Sequence, residues 1–180
     1  MIVSLHQVEK RGARWILRCP ELSESCALAG LGRRIDAETC HLDREPDEES
    51  LDADDFATKI ATDRAEERRL FLVAETESRI VGFARCIGGE LRRFRHTAEF
   101  GLCVEKACWG RGIGRSLVDA SLSWADSVGI RKVSLRVIET NLPAIHLYES
   151  LGFVREGLLV RDRLHRDGVY YNTLLMSRWH

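Results

Sequence analysis

The stretch WGRGIGRSL, residues 109–117, holds three glycines within five positions, just ahead of an apolar run. Without a Cβ at Gly110, Gly112 and Gly114, successive backbone N–H groups can turn inward. If a helix begins there, its first N–H groups are unpaired and its dipole is positive at that end. The two features together suit an anion such as a phosphate. A tight strand-to-helix turn with close packing accounts for the same glycines, and their spacing leaves both readings open. Neither common nucleotide motif fits. The Walker pattern ends in GK[ST], which is absent. The dinucleotide pattern is GxGxxG after a first strand, with an acidic residue about 20 positions on. Here the spacing is GxGxG and it follows several strands.

Other reactive side chains carry less information. The six cysteines (Cys19, Cys26, Cys40, Cys86, Cys103 and Cys108) contain no CxxC pair. Cys103 and Cys108 are five apart with no histidine cluster beside them, so no metal site is expected. A chain of this size needs no disulfide framework, and reduced thiols are the simpler reading. Tyr148 lies in NLPAIHLYESLGF, where spacing alone makes it a core or cap aromatic beside Ile145 and Leu151. His146 is two positions from it on a helix and points elsewhere. Glu99, taken alone, reads as an edge charge or a salt-bridge partner.

These residues need elements to position them. Residues 1–12 suit a frayed strand or arm, and RWILRC (14–19) a first strand stopped by Pro20. A short helix is expected over 21–34, weakened at its end by Gly30 and Gly32. The acidic segment HLDREPDEESLDADDF (41–56) reads as a loop, followed by a helix near 52–67 capped by Asp52 or Asp54. Strands are expected at 70–75 and 80–87, joined by a hairpin turn, and at 98–104. Gly101, in the middle of that last strand, suggests a bulge or a close backbone approach. Apolar residues at 113, 117, 120, 124 and 128 form one helical stripe. Strand 132–138, a helix capped by Asn141, and a closing hairpin over 154–160 and 168–176 complete the order. Trp15, Trp124 and Trp179 read as packing residues. The pattern predicts one α/β domain over 1–180 with a mixed sheet.

Composition narrows the classes. The chain is 44% hydrophobic and 31% charged, with a formal net charge of -1. No global field favours nucleic acid or an anionic membrane. The arginines at 92, 93 and 95 form one short patch without interleaved aromatics. The start, MIVSLHQVEKRG, lacks the apolar core of a signal peptide, and no apolar run approaches the ~20 residues that cross a bilayer. A cytoplasmic location is expected, with neither nucleic acid nor membrane as partner.

The C-terminal half, VEKACWGRGIGRSLVDASLSWADSVG then KVSLRVIETNLPAIHLYESLGFVREG, resembles the acetyl-CoA-binding core of the GNAT superfamily of N-acetyltransferases. The resemblance joins the glycine region to the NxxAxxxYexxGF segment at the usual separation, and is strong over residues 70–176. It implies a three-layer α/β/α domain whose mixed, mostly antiparallel sheet is splayed between the family's strands four and five, here 98–104 and 132–138. It implies acetyl-CoA as donor, with Leu102, Cys103 and Val104 along the pantetheine arm. Amides from Gly110 through Arg111, Gly112, Ile113 and Gly114 to Arg115 would hold the pyrophosphate, with Arg111 or Arg115 adding a charged contact. Asn141 and Ala144 would lie near the cofactor, and Tyr148 near its sulfur. Trp109 departs from the family's Gln or Arg and would pack beneath the loop. Lys106 stands where proline is frequent.

The reaction so implied is direct transfer of an acetyl group to a primary amine, with Glu99 as a water-mediated base and Tyr148 as general acid. An amide near Cys103 would stabilise the oxyanion. A covalent route through Cys103 is not required. The acceptor is expected to be a small-molecule amine. Alternatives are a protein or peptide acceptor, at an N-terminus or a lysine, and a non-catalytic acyl-CoA sensor module. The acidic run at 43–55 would steer a cationic amine, whereas Arg92, Arg93 and Arg95 would favour a carboxylate. A homodimer is left open.

Overall fold

The computed structural model describes residues 6–10, 13–46, 48, 51–77 and 79–180. Strands β1 (His6–Lys10) and β2 (Ala13–Arg18) come first, then helices α1 (Ser25–Glu38) and α2 (Ala53–Ala65). Strands β3 (Arg69–Thr76), β4 (Arg79–Gly88) and β5 (Thr97–Val104) follow. The second half runs α3 (Ile113–Ser127), β6 (Lys132–Ile138), α4 (Leu142–Glu149), β7 (Val154–Leu164) and β8 (Tyr170–Trp179). Among the described residues one sheet carries these eight strands in the order β1-β2-β3-β4-β5-β6-β8-β7. Every neighbouring pair is antiparallel except β5 with β6.

Alternation along the central strands builds the three layers. On β3, Leu70, Leu72 and Ala74 enter a core with Ile113, Leu117 and Trp124 of α3 and Ile145 and Tyr148 of α4. Phe71 and Val73 face the other way, against Leu28, Leu31 and Ile35 of α1 and Phe56 and Ile60 of α2. Both faces of the sheet are covered, which is why β3 reads as a near-continuous apolar run. The stripe expected on α3 is the buried one, with Ala120 and Val128 packed at its margin.

Several expectations are corrected. Residues 6–10 pair with β2, from His6↔Leu17 to Lys10↔Ala13, so the segment expected as first strand is the second. The family's strands four and five are therefore β5 and β6. The rest of the proposed arm, residues 1–5 and 11–12, lies outside the described residues. The first helix begins at Ser25 after a 3-10 turn over Leu22–Glu24 and runs to Glu38. Gly30 and Gly32 do not end it. A Cβ on Gly32 would stand 3.7 Å from the Phe56 ring, so that glycine sits where α1 meets α2, and burial of Leu31 and Ile35 outweighs propensity. Asp52 caps α2, accepting from the Asp55 N–H at 2.9 Å. Trp15 and Trp124 are buried, but Trp179 is exposed and stacks on His96.

The β4–β5 ladder runs unbroken from Gly82↔Val104 to Gly88↔Ala98, so no bulge occurs at Gly101 in that pairing. A Cβ there would meet nothing within 4 Å. The splay is nonetheless present. β5 and β6 pair only at Thr97↔Lys132, Ala98↔Val133 and Glu99↔Ser134, and then part.

Candidate active site

The glycine loop turns because two of its residues have positive φ, +73° at Gly110 and +99° at Gly112. A side chain at either would be strained. Gly114 is different: a Cβ there would make only ordinary contacts with Leu147 and Leu102, so close packing does not explain it. Gly112 is the N-cap of α3, and no side chain caps the helix. The first N–H paired to the cap is that of Ser116, donating to the Gly112 carbonyl at 3.0 Å. The N–H groups of Ile113, Gly114 and Arg115 precede it, at the positive end of a long helix. Trp109 does not pack beneath the loop. It is 44% exposed, and its indole N–H donates to the Val104 carbonyl at 2.6 Å, tying the loop to the end of β5. Arg115 donates to Ser150 Oγ at 2.5 Å, joining the first turn of α3 to the end of α4.

A cavity of about 1070 Å³ begins at this loop, follows the gap between β5 and β6, and continues to the segment after α1. That is the size of a large small-molecule site. Glu99, Leu102, Cys103, Val104, residues 110–115, Asn141, Ala144 and Tyr148 all border it. Residues chosen from two distant stretches of sequence thus share one space. The cavity fits a long, phosphate-bearing donor: uncapped helix amides at one end, unpaired strand edges along the middle, a phenol further in. The donor-side residues would hold such a molecule mainly through backbone groups.

Tyr148 is positioned by α4. Asn141 starts that helix, its Oδ1 accepting from the Ala144 N–H at 3.3 Å, with Pro143 in the first turn. The Tyr148 ring is 7% exposed and packs near Phe100 and Phe153, at centroid distances of 6.5 and 5.6 Å. Burial, then the nearby Cys103, pushes its phenol well above the ordinary tyrosine value. The phenol is therefore protonated at neutral pH. Burial, aided by Asp36 and Asp43, pushes the Cys103 thiol up to about 12. It is a poor nucleophile there. Glu99 lies on the opposite face of β5 from Ala98 and Phe100, and its Oε1 is 3.8 Å from Arg136 Nε.

The half of the cavity away from the glycine loop contains residues that sequence reasoning missed. Arg92, Arg93 and Arg95 occupy an exposed 3-10 turn and border no part of the cavity. Arg85, Arg136 and Arg163 do border it. The acidic run is largely engaged: Asp43 pairs with Arg163 at 2.7 Å, Glu45 with Arg166 at 3.7 Å, and Asp52 and Asp55 cap α2. His41 also borders the cavity, and burial lowers its pKa, which favours neutral imidazole. One signal in the sequence marked two of the missed arginines. Arg85 and Arg136 interrupt strands whose neighbours are apolar. Among the described residues no cluster of His, Cys, Asp or Glu suits a metal ion, and all six thiols are free.

A splayed mixed sheet between two helical layers, with a glycine-turned helix N-terminus at the mouth of the gap, defines the class of domain. The acetyltransferase (GNAT) family model matches residues 36–153, and the chain belongs to that family. A spermidine N(1)-acetyltransferase from Vibrio cholerae is 31% identical over 119 residues, 66% of each chain. The L-amino acid N-acetyltransferase AaaT of Escherichia coli is 31% identical over 59% of this chain and 66% of its own. The match thus spans just under two thirds of the length of these curated relatives. Among solved structures, a GNAT-family acetyltransferase from Streptococcus pneumoniae superposes with a TM-score of 0.88 at 24% identity, covering 92% of this chain and 99% of that one. YncA of Salmonella typhimurium, solved with acetyl-CoA, gives 0.81 at 19% identity over 92% and 93%. These two likenesses concern the fold.

Proposed function

We propose that the protein is an acetyl-CoA-dependent N-acetyltransferase that acylates a primary amine of a small molecule by direct transfer. The observation that carries this reading is the single cavity joining the α3 amides, the β5–β6 gap, Tyr148 and Glu99. Family membership supports it, as do relatives named for acetylating spermidine and L-amino acids. Six free thiols accord with a reducing, cytoplasmic setting.

Acetyl-CoA supplies the thioester. The N–H groups of residues 113–115, with Arg111, bind its pyrophosphate. The β5 edge over Leu102, Cys103 and Val104 orients the thioester, and an amide near Cys103 meets the oxygen on which charge develops. Glu99 accepts a proton from the acceptor ammonium through water, freeing the lone pair. Tyr148, kept protonated by burial, gives its proton to the leaving sulfur.

The test is turnover with identified product. Incubation with acetyl-CoA and a panel of amines and peptides is followed by free thiol and by product mass. Acetylated small amines are expected. Acetylated peptides only would favour the protein-acceptor reading, and binding without product would favour a sensor. Tyr148→Phe should lower kcat by about 10²-fold and leave acetyl-CoA affinity intact by calorimetry. An unchanged kcat would remove Tyr148 as the acid.

A further inference from the structure

Three arginines border the acceptor half of the cavity, and two are locked. Arg85 donates to Asp63 through Nε at 2.7 Å and Nη2 at 2.8 Å. Arg163 is held by Asp43 at 2.7 Å, the Leu42 carbonyl at 3.2 Å and Thr173 Oγ1 at 3.2 Å. Arg136 is not locked. Its approach to Glu99, 3.8 Å, is beyond hydrogen-bond distance, and the two side chains are 59% and 67% exposed. Val133, Leu135 and Val137 of β6 enter the core beneath α3 and α4, as do Ala98 and Phe100 of β5. Arg136 and Glu99 therefore project together from the opposite face, into the cavity, where the sheet begins to part.

An adjacent carboxylate and guanidinium, both open and loosely paired, match a zwitterion. An α-amino acid carries its ammonium and carboxylate on one carbon, so it needs opposite charges a few ångströms apart. An exposed contact of this kind is weak. The zwitterion can part it at small cost and give each partner a charge-assisted hydrogen bond. A polyamine meets the reverse situation. Arg136 sits beside the base and repels a second ammonium, while Asp43 and Asp63 are already paired. Asp162 also borders the cavity and is the remaining carboxylate such a substrate would use.

We propose that the acceptor belongs to the α-amino acid class, with Arg136 anchoring its carboxylate while Glu99 receives its ammonium. This rests on the acetyltransferase reading above and names the acceptor of the same site. The amine nitrogen forms a bond to the acetyl carbon as the carbon–sulfur bond breaks. One ammonium proton passes through Glu99 to solvent. The other lost proton is balanced by that taken up by the thiolate, so the products are the N-acetyl amino acid, coenzyme A thiol and one net proton.

The experiment compares α-amino acids with their decarboxylated amines and with a diamine, using the full chain and saturating acetyl-CoA. The best amino acid should exceed its decarboxylated amine in kcat/KM by about tenfold or more. Arg136→Gln should collapse that ratio toward one, chiefly through acceptor KM, while the KM for acetyl-CoA holds; Arg136→Lys should retain part of it. A wild-type preference for the amine or diamine, or a ratio unmoved in Arg136→Gln, overturns the proposal. Calorimetric titration of the amino acid with coenzyme A present separates the two levels. Binding lost in Arg136→Gln without product in the wild type upholds the subsite and overturns acetyl transfer. Absence of amino acid binding and turnover overturns the subsite.

Discussion

Asp63 shows how a single residue shapes the cavity wall from beneath, through Arg85. Its carboxylate is 1% exposed, yet it is fully engaged, with Arg85 at 2.7 Å and Arg69 at 3.9 Å. Arg85 also lies over the Phe71 ring, at 5.6 Å. Removing the carboxylate charge leaves a half-buried guanidinium without its counter-charge, at a cost of about 3 kcal/mol. Asp63→Asn should therefore lower the urea midpoint substantially, and an unchanged midpoint would show the pair to be energetically idle. This residue was illegible in the sequence, where it is one acid among many on an ordinary helix. Tyr148 was legible only because a motif surrounds it; spacing alone made it a core aromatic, and in packing terms it is one. Which arginines are locked and which open was illegible too, because the carboxylates that lock them, Asp63 for Arg85 and Asp43 for Arg163, are distant along the chain.

At the scale of the element, the start of α3 was the most legible part of the site. Glycines that permit positive φ, followed by an apolar stripe, locate a helix N-terminus from sequence. The end of α1 was less legible, since its length depends on contacts with α2. The α3 turn gives a paired test. Gly112 and Gly129, at +99° and +74°, stand at opposite ends of α3, and only Gly112 borders the cavity. Alanine at either should cost about 1–2 kcal/mol of stability. Gly112→Ala should also weaken acetyl-CoA binding about tenfold or more, because it tilts the amides at the anion end. Gly129→Ala should leave binding as it was. Equal affinities for the two variants by calorimetry would detach the helix start from donor binding.

For the molecule as a whole, the layers and the splayed, mostly antiparallel sheet were legible once two motifs stood in register. The order of the strands was not, and the N-terminal strand was legible only as a frayed strand or arm, since five residues carry little periodicity. Whole-molecule stability should also carry a signature of the apolar core at alkaline pH. Burial pushes the Cys86 thiol up to about 12 from an ordinary value of 9.0. Between those values the native state keeps a proton that the unfolded chain has lost, so the unfolded state binds fewer and stability falls as pH rises. The contribution is full below about pH 9 and fades toward pH 12. Urea unfolding from pH 8 to 11 should show this decline, and Cys86→Ala should reduce its slope by about one proton. Equal slopes would exclude Cys86 as a source.

The parting of β5 from β6 after Glu99 and Ser134 has one more consequence. A strand edge with open hydrogen-bonding groups is normally a hazard, because another chain can add to it and begin an aggregate. Here two such edges face each other inside the molecule, with α3 beginning beside Leu102 at the mouth of the gap. The fold can leave them unpaired at low risk, since a folded neighbour would have to enter a slot between its own layers. What is elsewhere an invitation to self-association is here held indoors, within reach of a slender ligand.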